Sequence, residues 1–247
     1  MKTVKFSLLY LGMLAVLSLS AHATVQFDLS TPHGDLGTNF YTYVSGAYSL
    51  PIYGYQTNVA PDYVGGTWNV GSPTGANLFG KFTSGNPGET GLGLTADPSL
   101  GGGQHEIWAI AGGPAGPSSP SYQYGFVILD TSLLKSAGAL GLQLSVGSLQ
   151  PHEWFNIWGS NTLGGTGTLL MTGSGGAGDI NGYFDVPSWG NYRYFWVGAE
   201  IEPGSGDDHS NVVLDAQVPS VPEPSSLALF GSGVLGLSAL LRRKLVG

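Results

Sequence analysis

From Phe40 to Gln217 the sequence is a succession of short runs in which apolar and polar residues alternate, each cut off by Gly, Pro, Asn or Asp. Alternation with a period of two puts successive side chains on opposite faces of a strand, so these runs read as β-strands joined by tight turns. Eleven stand out: Phe40–Val44, Tyr53–Thr57, Thr67–Val70, Leu78–Phe82, Gln104–Ala111, Tyr122–Leu129, Leu140–Val146, Trp154–Gly159, Gly182–Val186, Tyr192–Ile201 and Val212–Gln217. The one helical hint is Ser132–Ala137, a single turn after a strand ending near Asp130. Without helix–strand alternation a parallel α/β sheet is disfavoured. The pattern predicts an all-β fold, an antiparallel sandwich or jelly roll.

Composition supports a folded body. The 247 residues include 41 Gly and 15 Pro, with 11% aromatic and only 10% charged residues. Disordered chains are poor in aromatic and β-branched residues, whereas here Gly is interleaved with Tyr, Trp, Phe, Val and Ile. Charge is divided unevenly. Between residues 24 and 220 three bases, Lys81, Lys135 and Arg193, stand against fifteen acids, a formal charge of −12. Such a body repels phosphate backbones, which excludes nucleic acid as a partner. There is no cysteine, so disulfide scaffolds, cysteine-ligated zinc and thiol catalysis are excluded too.

The two ends differ from the body. MKTVKFSLLYLGMLAVLSLSAHA has the three parts of an export signal: Lys2 and Lys5, the apolar stretch Phe6–Leu19, and Ala21-His22-Ala23 as a small-x-small cleavage site. Residues 1–23 are therefore expected to leave as a signal helix through the export translocon and signal peptidase, with the ectodomain spanning 24–218. At the other end Leu227–Leu241 is fifteen residues without a charge, followed at once by Arg242, Arg243 and Lys244. A helix over about 225–241 reaches roughly 25 Å, the lower limit for crossing a bilayer. The bases behind it stay cytoplasmic and leave the acidic body outside. Within this stretch Gly231-Ser232-Gly233-Val234-Leu235-Gly236 spells G-x-G-x-x-G. It lacks the preceding strand and the later acidic residue of a dinucleotide site, so no cofactor is expected.

Val221-Pro222-Glu223-Pro224-Ser225, then a short apolar helix, then Arg242-Arg243 at the extreme C-terminus, resembles a PEP-CTERM sorting signal. The same kind of tail has been labelled the C-terminal domain of ice-binding proteins. The resemblance covers the segment 219–247. It implies recognition of the Pro-Glu-Pro region by an exosortase, a membrane-embedded cysteine protease of Gram-negative bacteria. Cleavage and transfer to the cell surface or exopolysaccharide matrix would follow. The body is similar, through Leu78-Phe79-Gly80-Lys81, Glu89–Leu94, Glu106-Ile107, Trp158-Gly159-Ser160 and Tyr192-Arg193-Tyr194, to an ectodomain that recurs among PEP-CTERM proteins. That similarity implies an extracellular β-sandwich and brings no catalytic residues with it.

Chemistry in the body has several candidates, each with a plainer structural counterpart. Glu106 and Glu153 lie near aromatics, as the paired carboxylates of a glycosidase do, but fifteen acids put some near Trp by chance. His105-Glu106 and His152-Glu153 lack the second His of a zinc helix, and no G-x-S-x-G elbow marks a nucleophile in the body. Asp207-Asp208, or Asp97 with its loop, offers hard oxygens for calcium, without EF-hand spacing, so no metal is expected. Trp68, Trp108, Trp154, Trp158, Trp189 and Trp196 with the tyrosines offer flat faces for sugar rings, against the alternative that they fill the core. Trp154 and Trp158 share one strand face, Phe155 and Ile157 the other, and one of the two is expected to be core. Lys81 is expected to pair with Glu89 or Glu106. Together these readings predict an exported, non-enzymatic surface or matrix protein, structural or associated with exopolysaccharide. The alternative is a secreted carboxylate-dependent glycan-active enzyme. The scattered Thr residues show no flat array for binding ice.

Overall fold

The computed structural model describes residues 24–59, 66–84, 89–95, 105–111, 122–175, 182–201 and 209–219, together with Gly233. The expected signal, the sorting segment and the Asp97 and Asp207-Asp208 candidates lie outside these residues, as does the expected span at 225–241 apart from Gly233. Among the described residues no helix is long and apolar enough to cross a membrane.

The described strands are β1 (Thr24–Phe27), β2 (Gly34–Asp35), β3 (Phe40–Ser45), β4 (Tyr48–Thr57), β5 (Thr67–Asn69), β6 (Thr74–Gly75), β7 (Leu78–Lys81), β8 (Gly91–Leu94), β9 (Ile107–Ala111) and β10 (Tyr122–Asp130). After the short helix α1 (Ser132–Ser136) come β11 (Gln143–Gly147), β12 (Glu153–Ser160), β13 (Thr166–Ser174), β14 (Phe184–Asp185), β15 (Tyr194–Ile201) and β16 (His209–Pro219). All eleven expected strands are present, and the expected turn is α1. The sequence pattern passed over β1, β2, β6, β8 and β13.

The fold is antiparallel and all-β, as expected, but its strands form one continuous network in place of the two sheets of a sandwich. Two strands explain the continuity. β10 pairs along one edge with β4 and along the other with β9, then β15. β16 runs beside β9 over His209–Val212 and beside β11 over Val213–Gln217, while also pairing with β1 and β8. Neither strand leaves a gap at which two sheets would part.

Half of this network rolls up. Its path β4-β10-β15-β12-β13-β5 returns to its start, because Thr57 Oγ1 donates to the Val70 carbonyl (3.0 Å) and Trp68 Nε1 to the Val59 carbonyl (3.1 Å). Trp68, from the last strand of the path, therefore lies 4.8 Å from Phe126 and 4.6 Å from Trp158, ring centroid to ring centroid. Trp196 completes the aromatic filling, and all four rings are fully buried. The opposite faces of β10 and β12 are buried as well, by Val127, Leu129, Phe155 and Ile157. One face of β12 is expected to be core, and both are, because the strand lies at the centre of a sheet covered on each side.

Glycine makes room for this filling. Phe155 lies directly across from Gly173, where a Cβ would come within 2.2 Å of the ring. Tyr192 likewise lies over Gly159, its ring 2.4 Å from where a Cβ would stand. Pairing a bare glycine with a neighbour's ring lets a close-packed interior form. The abundance of both residue types is one feature of the packing.

Candidate functional site

The sequence-predicted site residues divide into two groups. Val221, Pro222, Glu223, Pro224 and Ser225 of the sorting motif, Arg242, Arg243 and Lys244 behind the apolar stretch, and Ala21 and Ala23 of the signal site lie outside the described residues. Of the candidates of the body, Asp97 and Asp207-Asp208 also lie outside the described residues, and most of the others are committed to holding the fold.

Glu106 sits at the entrance to β9 and is nearly buried. Its Oε1 is bonded by Lys81 Nζ from the end of β7, and it also accepts from Ser148 Oγ at 2.8 Å. Glu89 lies 3.8 Å from the same ammonium. Lys81 thus meets both carboxylates expected of it. Ser148 has φ +63°, a left-handed conformation that a non-glycine residue holds only when its surroundings fix it. Glu153 is buried at the start of β12. Its Oε2 accepts from the Gln150 backbone N–H at 2.6 Å and its Oε1 from that of Asn211 at 3.2 Å, tying the turn before β12 to β16. A carboxylate satisfied in this way is a brace.

The tryptophans divide similarly. Trp68, Trp108, Trp158 and Trp196 are core, while Trp154 and Trp189 are half-buried. Trp189 carries Lys135 Nζ 4.7 Å above its ring and stacks on Phe195 at 6.0 Å. The same ammonium donates to the Tyr192 carbonyl. Burial pulls the Lys135 pKa down and the Asp130 charge opposes it.

One constellation reaches the surface. Asp130 ends β10, and Arg193 immediately precedes β15. Arg193 Nε donates to Asp130 Oδ1 at 3.1 Å and Nη2 to Oδ2 at 2.7 Å, a bidentate pair. Burial pushes the Asp130 carboxyl up, but bonds from Arg193 and Ser132 outweigh it and hold it below the usual carboxylate range. Arg193 also stacks on Tyr194 at 4.8 Å, with its side chain 51% exposed. Next to this pair lies the hairpin of β3 and β4, turned through Gly46 at φ +57°, a conformation glycine reaches without strain. Phe40 opposes Tyr53 across the hairpin, ring centroids 4.7 Å apart. Tyr53 in turn opposes Ile128 on β10. Asp130, two residues on, therefore shares its face. Sequence reasoning singled out neither Phe40 nor Tyr53. Their signal, an uncharged aromatic hairpin within an acidic body, was absorbed into the strand pattern.

Among the described residues no group of three His, Cys, Asp or Glu is arranged to hold a metal ion.

Residues 220–244 match the family model of the PEP-CTERM protein-sorting motif. No curated protein and no solved structure matches the chain. The motif indicates an exported protein that is processed by exosortase through a membrane-anchored intermediate.

Proposed function

Because the chain carries this sorting motif, we propose that it is a cell-surface or extracellular-matrix protein whose body associates with exopolysaccharide and performs no catalysis. The match at residues 220–244 carries the reading. The residue order around it supports delivery to the outside: an export signal at 1–23, an acidic body, an apolar segment over about 225–241, then three bases. Exosortase acts at Val221–Ser225, and the segment beyond is left in the membrane. The state of the two candidate carboxylates supports a binding role. Glu106 is held by Lys81 and Ser148, and Glu153 by two backbone N–H groups. A glycosidase instead needs one carboxyl free to donate a proton and another free to attack or activate water.

Two measurements test this. Cells expressing the intact chain, or one lacking Pro222–Gly247, are fractionated and the mature C-terminus is read by mass spectrometry. The intact chain should end near the Pro-Glu-Pro region and leave the membrane fraction, and the truncated one should bypass that step. Uncleaved protein in the cytosol overturns the sorting reading. Affinity electrophoresis in the host's exopolysaccharide should retard the protein without shortening the polymer. Release of reducing ends, abolished by Glu106→Gln or Glu153→Gln, would establish the enzyme instead.

A further inference from the structure

The roll of β4, β10, β15, β12, β13 and β5 is packed solid at its middle and presents, at one end, side chains of a different kind. Three observations meet there. Phe40, 42% exposed, and the half-buried Tyr53 lie side by side on one face of the β3–β4 hairpin, with Tyr55 two residues further along that face. Phe40 is one of several large apolar side chains exposed among the described residues, and its ring packs on that of Tyr53. The rings are flanked by hydrogen-bonding groups on both sides. Asp130 and Arg193 stand beside Tyr53, and the Asn39 carboxamide fills the space over Gly75, the cross-strand neighbour of Tyr55. Finally, Arg193 uses two of its five N–H donors on Asp130. Its charge is neutralised while its outer donors face solvent.

We infer that this end of the roll is a binding site for an uncharged polysaccharide, whose sugar rings stack on Phe40 and Tyr53 and whose hydroxyls bond to the outer edge of the Arg193–Asp130 pair. The inference rests on the polysaccharide association proposed above and assigns it a place and a ligand class. Aromatic faces with a few fixed polar groups at the mouth of a β-roll suit a ligand that is apolar on the faces of its rings and polar at their rims. Charge selects the class. The body carries −12, and its three bases are already engaged: Lys81 with Glu106, Lys135 with Tyr192 and Trp189, Arg193 with Asp130. A uronate or sulfated polymer would meet net repulsion from so acidic a body, whereas a neutral one meets none. The hairpin strand itself, FYTYVS, adds no charge.

Affinity electrophoresis of the intact chain in gels containing hydroxyethylcellulose, laminarin, dextran or galactomannan, and separately alginate, tests the assignment. At least one neutral polymer should retard the protein, with little change between about 0.05 and 0.5 M salt, and alginate should not. Phe40→Ala and Tyr53→Ala should each weaken retardation about tenfold. Tyr53→Phe, which keeps the ring, should retain most of it, and thermal unfolding identifies any variant that fails to fold. Phe82→Ala, which removes an exposed ring packed at a tilt against His33 beyond β7, should change nothing. Binding untouched by Phe40→Ala and Tyr53→Ala, or weakened equally by Phe82→Ala, overturns this site and leaves the proposed association standing. Binding to alginate alone, lost with salt, overturns the ligand class. Binding to none of the polymers, the host's own included, overturns both, and a concentration-dependent shift in size without polymer reassigns the face to contacts between copies of the chain.

Discussion

Asp215, on β16, is a carboxyl held well above the usual carboxylate range. Burial pushes it up, the charge of Asp28 adds to that, and bonds from Tyr183, Gln26 and the Leu29 N–H pull the other way, leaving it at about 7. An unfolded Asp loses its proton near pH 4, so between about 4 and 7 the folded chain holds a proton that the unfolded one has released. Stability from this group is complete at the acid end and falls as pH rises, by about 1.4 kcal/mol per pH unit at most. Asp28 and Asp130 are both held low. Their contributions have the opposite sign and are lost only below about pH 4. Urea unfolding should therefore show the protein more stable at pH 5 than at pH 7.5, and Asp215→Asn should flatten that difference. A second prediction concerns Lys81. Lys81→Met leaves Glu106 nearly buried with Ser148 but no cation, at a cost of about 3 kcal/mol, and adding Glu106→Leu should recover most of the loss. A Lys81→Met variant as stable as the original protein would show that the pair contributes nothing, and a double variant no more stable than the single one would show that the stranded carboxylate carries no penalty.

Among the elements, those that the alternating pattern revealed carry their own large side chains, as in Tyr122–Asp130 and Glu153–Ser160. Among those it missed, β8 and β13 are glycine-bearing strands whose neighbours supply the bulk, whereas β1, TVQF, is simply short. β8 reads GLGL, and at Gly93 the space a side chain would take belongs to the His105 carbonyl, 1.9 Å from an added Cβ. β13 reads TGTLLMTGS, and Phe155 fills the place over Gly173. A strand completed by another strand's rings has no signal of its own. The candidate site was hidden for a related reason. Phe40 and Tyr53 read as ordinary strand residues until the register set them side by side, while Glu106 and Trp158 drew notice yet serve packing. Gly93→Ala should accordingly cost about 3 kcal/mol or more. Gly190→Ala, with nothing within 4 Å of an added Cβ, should stay within about 0.5 kcal/mol. Thermal unfolding of the two variants checks the contrast.

For the whole molecule, Val25–Val218 is one compact unit. Its first strand starts at Thr24, one residue past the expected signal site, and its last ends at Pro219, one residue before the sorting match. Cleavage at the expected signal site or within the sorting match would therefore leave the sheet whole. Replacing Arg242, Arg243 and Lys244 with glutamate should remove the cytoplasmic stop, so that membrane fractions lose the anchored precursor and full-length protein appears outside the cell. A tether attached beyond β16 would have a mechanical consequence. This strand pairs with β1, β8, β9 and β11 and so belongs to both halves of the network. Tension on Pro219 loads those ladders lengthwise, with many bonds resisting in shear at once, where a tether on an edge strand would peel them apart singly. Under flow or drag, a body tethered there would be held by a strand paired along both edges.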